Sequence, residues 1–347
     1  MPRLEAVLYG GQVSEGEPVY EFERRFAAFI GAGHSLSFYS GTATLHIAML
    51  LAGVGPGDEV ISTPVTAEPS NLAILHAGGQ PVWADVDPRN GNLDPESVRA
   101  RITTRTRAIL AVHYGGIPAP LEALGRIARE YGLPLIEDAA HALGARYGGA
   151  QLGMHSDYVM FSLQAIKHLT TVDGGMLTCR RETDRRRARL LRWFGIDRQA
   201  PRLEVDIAEP GFKYHMNNVN ATIGLVQLEH VGAAIARHIE NGRWFDRELR
   251  GIPGLGLCAW EPAAEPSYWF YTVLAERRDA LAQALAARGI GCSMSHRRND
   301  AHSVFAASRR ELPGVDAWSA RMLHIPCGWW VSDADRERIA AALRAGW

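Results

Sequence analysis

The chain has 347 residues and a mass of 38.1 kDa, which exceeds one typical domain and suits two. Apolar residues make up 47% and charged residues 22%, and the formal charge of −1 gives no overall attraction to nucleic acid or to a membrane surface. No apolar run reaches 18 residues, the N-terminus has no apolar signal segment, and the four cysteines show no paired spacing. We therefore expect a reduced, cytoplasmic protein without a metal, membrane or nucleic-acid partner.

Along the first two thirds of the chain, helical segments alternate with short β-rich segments. Apolar residues from Val19 to Ile30 follow helical spacing, and Gly31 lies where a helix C-cap is expected. Strands are predicted at residues 60–63, 81–86, 108–113, 133–137, 159–162 and 176–179, and helices at 45–51, 71–76 and 121–131. This alternation predicts an α/β fold with a mostly parallel sheet. Ligands bind such sheets beyond the carboxyl ends of the strands, where Asp138 and Ser162 fall.

The pattern changes in the last third of the chain. One helical stretch is predicted over residues 219–250, followed by strands at 268–274, 290–295 and 322–326. Further helices are predicted at 279–288, with Asp279 as the N-cap, and from after Ser332 to about residue 344. We therefore expect a large domain over residues 1–236 and a smaller C-terminal α+β domain over residues 237–347. The arginine-rich segment 180–192 is interpreted as a salt-bridged helix face rather than a nucleic-acid site, because no aromatic residues are interleaved with it.

The lysine content is the most informative compositional feature. Of 37 lysine and arginine residues, only Lys167 and Lys213 are lysines. Arginine stays protonated, whereas a desolvated lysine can lose its proton and attack an aldehyde such as that of pyridoxal 5'-phosphate (PLP). A general bias of the composition toward arginine, with two lysines remaining by chance, would give the same count. The surroundings of Lys167 must therefore decide between the two interpretations.

Three features around Lys167 suit PLP. Gly41 and Thr42 open a helical run whose N-terminal amides can bind a phosphate, although a plain helix cap gives the same pattern. Asp138 ends an apolar strand, where a buried carboxylate can keep a pyridine nitrogen protonated; a cap of the next helix is the alternative. Ser162 lies five residues before Lys167 and can supply a hydroxyl to the same phosphate.

Eight blocks of the sequence then occur in a fixed order. They are Gly41-Thr42-Ala43-Thr44-Leu45-His46; Gly55-Pro56-Gly57-Asp58-Glu59-Val60-Ile61; Thr63-Pro64-Val65-Thr66 with Asn71; Asp85-Val86-Asp87-Pro88; Glu137-Asp138-Ala139-Ala140-His141; Ser162 to Lys167; Asp173-Gly174-Gly175; and Gly211-Phe212-Lys213-Tyr214-His215-Met216-Asn217. The series resembles the DegT/DnrJ/EryC1/StrS family of PLP-dependent sugar aminotransferases, strongly over residues 15–230 and loosely over the remainder. The resemblance implies PLP fold type I, with a mostly parallel seven-stranded sheet in the large domain.

The resemblance implies roles for the residues in these blocks. Lys167 would form a Schiff base with PLP, and Asp138 would pair with the pyridine nitrogen. The phosphate would be held by the segment Gly41-Thr42-Ala43, through the amides of Thr42 and Ala43, and by the Ser162 hydroxyl. His141 stands where many members have glutamine, so its imidazole would contact the 3'-oxygen of the cofactor.

The resemblance also implies a homodimer with shared active sites. In relatives, the segment around Lys213 reaches the phosphate in the neighbouring subunit, and Lys213 replaces the asparagine often found there. The aromatic residue that often stacks on the ring after the position of Thr66 is absent. The pair Trp193-Phe194 is either a substrate contact or part of the core.

The expected reaction is transamination, because relatives that dehydrate ketosugars have histidine in place of Lys167. An amino group would move from glutamate or glutamine to a ketosugar, and a nucleotide-linked 3- or 4-keto-6-deoxysugar is the first choice. A keto-cyclitol of the aminoglycoside type is the second, and a PLP-binding sensor without transaminase activity is a further alternative. A nucleotide-binding α/β protein without PLP lacks support, since no G-x-G-x-x-G motif follows the first strand. Substrate contacts are predicted for Tyr214, His215, His296, Arg297 and Asn299.

Overall fold

The computed structural model describes residues 2–198 and 200–347, which form an α/β fold. The helices are α1 (Pro2–Tyr9), α2 (Glu17–Ile30), α3 (Gly41–Leu51), α4 (Glu68–His76), α5 (Pro95–Ala100), α6 (Leu121–Tyr131), α7 (Glu182–Arg192), α8 (Asn218–Leu228), α9 (Val231–Glu248), α10 (Arg278–Ala286), α11 (Pro313–Arg321) and α12 (Asp333–Arg344). The strands are β1 (Leu36–Phe38), β2 (Glu59–Ser62), β3 (Gln80–Trp83), β4 (Thr106–Val112), β5 (Leu135–Asp138), β6 (Arg146–Tyr147), β7 (Ala150–Gln151), β8 (Tyr158–Ser162), β9 (Gly175–Cys179), β10 (Leu255–Leu257), β11 (Ala264–Glu265), β12 (Tyr271–Ala275) and β13 (Met322–Ile325).

A seven-stranded sheet in the order β1-β9-β8-β5-β4-β2-β3 forms the centre of the fold. Strands β8, β5, β4, β2 and β3 pair in parallel. Strand β9 is antiparallel to both of its neighbours, β8 and β1. The predicted α/β fold with a mostly parallel, seven-stranded sheet is therefore confirmed.

Successive side chains of a strand point to opposite faces of the sheet, and both faces of this sheet carry apolar side chains. Helices therefore cover both faces. In β8, Val159 and Phe161 join one apolar core with Phe26 of α2. Met160 joins the core on the other face, with Leu45 of α3. Each such buried side chain contributes about 1.5–3 kcal/mol relative to exposure. The ends of the central strands are thus fixed from both sides, and functional side chains beyond them are held in place.

A second, antiparallel sheet of β10, β12 and β13 lies in the C-terminal part of the chain. Its core includes Phe245 of α9, Leu281 of α10 and Leu343 of α12. A third small sheet pairs β11 with β6, and so connects this part to the segment after β5. The proposed boundary at residue 236 falls inside α9 (Val231–Glu248), and the division into two domains stays a prediction.

Several sequence-based expectations for the C-terminal part are wrong. Residues 219–250 form two helices. The amides of Glu229 and His230 each donate to the carbonyl three residues earlier, and this tighter turn ends α8 before α9 begins. Residues 290–295 form no strand, and only Ser293 makes an isolated bridge, with His324. The strand expected at 268–274 begins at Tyr271.

The predicted helix caps differ in outcome. Asp279 lies in the first turn of α10, and Arg277 occupies the N-cap position instead. Helix α12 begins directly after Ser332, as predicted, and the Ser332 hydroxyl accepts a hydrogen bond from the Asp335 amide in a capping box. Gly31 ends α2 with a left-handed φ of 73°, as expected for a C-cap glycine.

The arginine-rich segment forms helix α7, whose arginines pair with acidic neighbours. Arg187 pairs with Glu209 at 2.7 Å, and Arg189 pairs with Asp197 at 2.6 Å. The interpretation as a salt-bridged helix face is therefore confirmed. Among the described residues, no helix is long and apolar enough to cross a membrane.

Candidate active site

A cavity of about 360 Å³ opens at the carboxyl ends of β5 and β8, beside the N-terminus of α3. Parallel strands end at the same edge of a sheet, so residues distant in sequence meet there. The predicted site residues that line the cavity are Gly41, Thr42, Asp138, His141, Ser162, Lys167 and His296. The structure therefore brings these predicted residues together around one cavity.

Asp138 is the last residue of β5 and is 4% exposed. Its Oδ2 accepts a hydrogen bond from the Ser70 hydroxyl at 2.6 Å, and its Oδ1 accepts one from the Ala140 amide at 3.0 Å. A carboxylate can accept further bonds beyond these two. Asp138 is thus a fixed acceptor that can also take a positively charged donor from the cavity.

Lys167 lies in the loop between β8 and β9. The Leu163 amide donates to the Gly174 carbonyl and the Thr171 amide donates to the Leu163 carbonyl, both at 2.9 Å, so the loop is closed by its own backbone. Burial lowers the pKa of Lys167 to about 8, and the Asp138 carboxylate opposes this shift. A lysine with such a pKa can supply both an ammonium and a neutral amine near neutral pH.

The N-terminus of α3 and the end of β8 approach each other closely. A Cβ added to Gly41 would lie 3.3 Å from the Ser162 hydroxyl oxygen. Gly41 and Thr42 line the cavity at this helix N-terminus, which is a favourable place for an anion. Ala43 does not line the cavity, and its amide donates to the Ser40 hydroxyl oxygen at 3.1 Å. Its predicted contact with a phosphate stays a prediction.

Two neutral imidazoles face each other beside Lys167. The rings of His141 and His296 stack with centroids 5.8 Å apart and an interplanar angle of 15°. His141 Nδ1 and His296 Nε2 are buried and have no hydrogen-bond partner. Burial, followed by the Lys167 charge, lowers the pKa of both groups, that of His141 well below its ordinary value. Each imidazole therefore offers an uncharged nitrogen to a ligand.

The residues of the cavity fit PLP. Gly41 leaves room for a phosphate beside Ser162, since a side chain there would fill the gap. Asp138 is a buried acceptor suited to a protonated ring nitrogen, and His141 has an unpartnered nitrogen for the 3'-oxygen attached to the ring. Lys167 has the lowered pKa that attack on an aldehyde requires.

Lys213, Tyr214 and His215 do not line this cavity. The Lys213 Nζ lies 5.7 Å from the ring centroid of Trp193, and the Tyr214 hydroxyl is hydrogen-bonded to His46 Nδ1 at 3.1 Å. Burial, followed by the charges of nearby arginines and of Lys213, lowers the pKa of His215 to about 4. Within one subunit, this segment therefore lies outside the cavity that holds Lys167.

The aromatic pair near Lys213 is not a core pair. Trp193 is half-buried and packs against His215, with ring centroids 4.2 Å apart. Phe194 is 39% exposed and has a left-handed φ of 54°. The core interpretation is wrong for Phe194, and the alternative, a contact with the substrate, stays a prediction.

Arg297 and Asn299, which follow His296 and were predicted to contact substrate, have different surroundings. Arg297 is exposed and bonds only weakly to the Ala301 carbonyl, at 3.3 Å. Asn299 is fully buried; its side chain donates to the Thr66 carbonyl at 2.9 Å and accepts from Asn71 at 2.8 Å. Asn299 thus links two segments, and nothing in its contacts supports a direct role with substrate.

Two residues of the site are not indicated by the sequence. Ser70 bonds to Asp138, and its position directly before Asn71 in a family block was the one available signal. Trp269 contacts both Lys167 and His141 from a segment about a hundred residues further along the chain. Only the folded structure brings Trp269 to the site.

The family model of the DegT/DnrJ/EryC1/StrS aminotransferase family matches residues 1–344. The chain belongs to this family. It is similar to the crystal structure of AtS13 from Actinomadura melliaura, at 42% identity over 100% of this chain and 95% of that chain, with a TM-score of 0.96. It is also similar to the sugar aminotransferase CalS13 from Micromonospora echinospora, at 38% identity over 100% and 96% of the two chains, with a TM-score of 0.96.

A third similar structure is that of S. venezuelae DesV in complex with ketimine intermediate, at 31% identity over 99% of this chain and 93% of that chain, with a TM-score of 0.93. The family match and these neighbours confirm PLP fold type I. The protein is a PLP-dependent sugar aminotransferase.

Proposed function

We propose that this sugar aminotransferase moves an amino group from glutamate or glutamine to a nucleotide-linked 3- or 4-keto-6-deoxysugar. The observation that carries the proposal is that Lys167 and Asp138 line one cavity with the N-terminus of α3. Similarity to CalS13, which is described as a sugar aminotransferase, supports a sugar as the acceptor. Lysine at position 167, where dehydrating relatives have histidine, favours amino transfer over dehydration.

Lys167 is the proposed catalytic residue. With a pKa of about 8, Lys167 is an uncharged amine in about a tenth of the molecules at pH 7. The uncharged amine can attack the aldehyde of the cofactor. Once an amino donor has displaced it, the same amine would accept the proton from the substrate carbon and, as an ammonium, donate it to the former aldehyde carbon of the cofactor. Its lowered pKa suits both directions of this proton transfer.

Asp138 is proposed to hold a proton on the pyridine nitrogen. When bound, PLP supplies an electron sink for the charge that develops at the substrate carbon. The Ser70 hydroxyl and the Ala140 amide orient the Asp138 carboxylate, and neither contributes a positive charge that would compete with the ring nitrogen. Burial strengthens the interaction of this carboxylate with a cationic ring.

The other cofactor contacts are proposed from their places in the cavity. The amides of Gly41 and Thr42 and the hydroxyl of Ser162 would hold the phosphate. The Ala43 amide already donates to the Ser40 hydroxyl oxygen, so it would contribute only if it donated to the phosphate and to Ser40 at the same time. The uncharged His141 would hydrogen-bond to the 3'-oxygen of the ring.

A second cavity is the proposed place for the nucleotide. It has a volume of about 370 Å³ and shares Thr66 and His296 with the cofactor cavity. Arg278 and Arg297 also line it. Arg298 is held by Asp300 and Asp316, so Arg297 is the arginine better placed to meet a diphosphate.

The site is proposed to be completed by a second subunit. Lys213, Tyr214 and His215 lie outside the cavity of their own chain, beside the partly exposed pair Trp193-Phe194. In a C₂ homodimer both copies of this segment could reach the partner's phosphate and substrate. Lys213 would then serve as a compact point charge for the phosphate.

The substrate experiment uses the purified holoenzyme with glutamate or glutamine and a panel of acceptors. The panel contains nucleotide-linked 3-keto and 4-keto-6-deoxysugars, the corresponding free sugars and a keto-cyclitol. We expect the keto acid from the donor and the aminated nucleotide sugar, both identified by mass, and neither product with Lys167→Ala. Amination of the keto-cyclitol alone would move the substrate to the aminoglycoside type. A donor-induced absorbance change without any aminated acceptor would instead favour the sensor.

A second experiment locates the covalent link. Borohydride reduction of the holoenzyme should fix the cofactor on a peptide that contains Lys167, and peptide mapping is unambiguous because Lys213 is the only other lysine. A reduced adduct on Lys213, or one that persists in Lys167→Ala, would overturn the assignment.

A further inference from the structure

Trp269 is half-buried and contacts three residues of the active-site region. Its indole lies nearly parallel to the His141 imidazole, with centroids 3.9 Å apart and an interplanar angle of 16°. The Lys167 Nζ lies 3.9 Å from the centroid of the same indole. The indole Nε1–H donates to the carbonyl oxygen of Ile166 at 3.0 Å. Since Trp269 does not line the cavity, it acts on these groups from outside.

The backbone around Trp269 is fixed by a turn of two glycines. The amides of Ser267 and Trp269 donate to the carbonyls of Gly116 and Gly115, both at 3.0 Å. Both glycines have a positive φ, 63° and 90° in chain order. A Cβ on Gly116 would lie 2.9 Å from the His141 carbonyl oxygen, and one on Gly115 would lie 2.6 Å from the ring of the residue after Trp269. Only glycines therefore permit this close approach.

Tyr268, directly before Trp269, has a left-handed φ of 49°. This conformation is costly for a bulky residue and persists where surrounding contacts impose it. The Tyr268 hydroxyl donates to Asp246 at 2.5 Å, and its carbonyl accepts from His238 Nδ1 at 2.8 Å. These contacts hold a strained backbone that directs Trp269 toward Lys167.

We propose that Trp269 is a positioning residue that holds the Lys167 side chain and favours its protonated form through the face of the indole. The inference rests on the proposed role of Lys167. A cation over an indole face is attracted by the ring quadrupole, and tryptophan is the strongest of the aromatic residues in this respect. The bond to Ile166 fixes the peptide that carries Lys167, so the direction of the side chain is set as well.

Few other groups act on the charge of Lys167. Asp138 is the one charged neighbour that raises its pKa, against the larger effect of burial. The titratable neighbours His141, His168 and His296 all have lowered pKa values because of burial, so they are uncharged near neutral pH. Within the part of the chain that the structure describes, Trp269 and Asp138 are therefore the two groups that offset the desolvation of the ammonium.

The low lysine content allows a direct test in the cofactor-free, full-length protein. Reductive methylation with ¹³C-formaldehyde labels Lys167, Lys213 and the N-terminal amine, and NMR follows each signal with pH. We expect the Lys167 titration to move down by about one pH unit in Trp269→Leu, which keeps apolar bulk but loses the π face. Trp269→Phe keeps a weaker ring and should move it by about half as much. Lys213, which contacts Trp193 instead, supplies the internal reference signal.

Phe270→Leu is the matched control. Phe270 is the next residue and stacks on His324 at 3.8 Å, so its loss perturbs the same segment without removing the contact with Lys167. Its Lys167 titration should equal that of the parent. An unchanged titration in Trp269→Leu, or an equal shift in Phe270→Leu, would overturn the proposal.

If Trp269→Leu does not fold, Trp269→Phe decides. A downward shift of the Lys167 titration supports the proposal, and no shift overturns it. The NMR titration needs no cofactor, so it is separate from the borohydride experiment on the holoenzyme. Loss of the Lys167 adduct there would overturn the proposed function and leave the effect of Trp269 on the Lys167 charge as measured.

Discussion

The Asp138 carboxylate is the charge on which the proposed chemistry depends most. Asp138→Asn keeps the size of the side chain and removes the negative charge that would hold a proton on the pyridine nitrogen. Loss of such a buried electrostatic contact at the reacting centre should lower kcat by about 10²-fold or more. Steady-state kinetics with the best acceptor measures this, and thermal unfolding checks that the variant is folded. A kcat within about threefold of the parent would remove Asp138 from its proposed role.

Lys167 should make the stability of the cofactor-free protein depend on pH. Its folded-state pKa of about 8 lies below the ordinary value of 10.5, so between these values the unfolded chain binds more protons than the folded one. The free energy of unfolding should therefore rise with pH across this window, by at most about 3 kcal/mol. Lys167→Met lacks the titrating group, and the difference between the two denaturation series isolates the effect. A constant difference from pH 7 to pH 11 would show that Lys167 has an ordinary pKa.

The residues proposed to carry the chemistry can be predicted from the sequence, whereas the residues that support them cannot. Asp138 and Lys167 were found because PLP chemistry requires those residue types at strand ends, and the family blocks fix their order. Ser70 and Trp269 have no required type, since any hydroxyl or aromatic group at the right place would serve. Their contacts depend on how distant segments pack, which local sequence patterns do not encode.

At the scale of elements, the N-terminus of α3 and the end of β8 approach each other closely at the site. Gly41→Ala would place a Cβ 3.3 Å from the Ser162 hydroxyl oxygen and push apart the two proposed phosphate contacts. Loss of one such hydrogen bond should weaken PLP binding by about tenfold. Tryptophan fluorescence titration with PLP measures the Kd. Gly33→Ala is the control, since no atom lies within 4 Å of the added Cβ, and it should leave the Kd unchanged.

Unchanged PLP affinity in Gly41→Ala, with the control intact, would show that this junction does not hold the phosphate. A loss of affinity in both variants would point to a general effect of alanine on the fold.

The elements of the central sheet were predicted more accurately than those of the C-terminal part. Apolar runs such as the one ending at Asp138 are buried on both faces, so their sequence alone identifies them as strands. Helix α6 (Leu121–Tyr131) has the predicted bounds because its apolar residues follow one face and Gly132 ends it. Residues 290–295 alternate apolar residues with glycine and serine, which also predicts a strand, but they meet the sheet at Ser293 alone. Pairing depends on the partner strand, which sequence patterns do not show.

At the scale of the whole molecule, the position of Lys213 raises the question of assembly. The cavity of one chain contains Lys167 without Lys213, although both lysines occur in family blocks. A C₂ dimer would place each Lys213 in the partner's site and each Lys167 in its own. Each active site would then consist of residues from two chains, and a separated monomer would be incomplete.

Mixed dimers test this arrangement. Lys167→Ala and Lys213→Ala should each be impaired alone, the first in chemistry and the second in PLP affinity. In a mixed dimer both changes fall in one site and leave the other whole. Random exchange of equal amounts should therefore restore about a quarter of the parent's active sites. Activity is measured after exchange is confirmed by native mass spectrometry, with the unmixed variants as controls. Mixed dimers without recovered activity, or an active monomer, would show that Lys213 does not complete the partner's site.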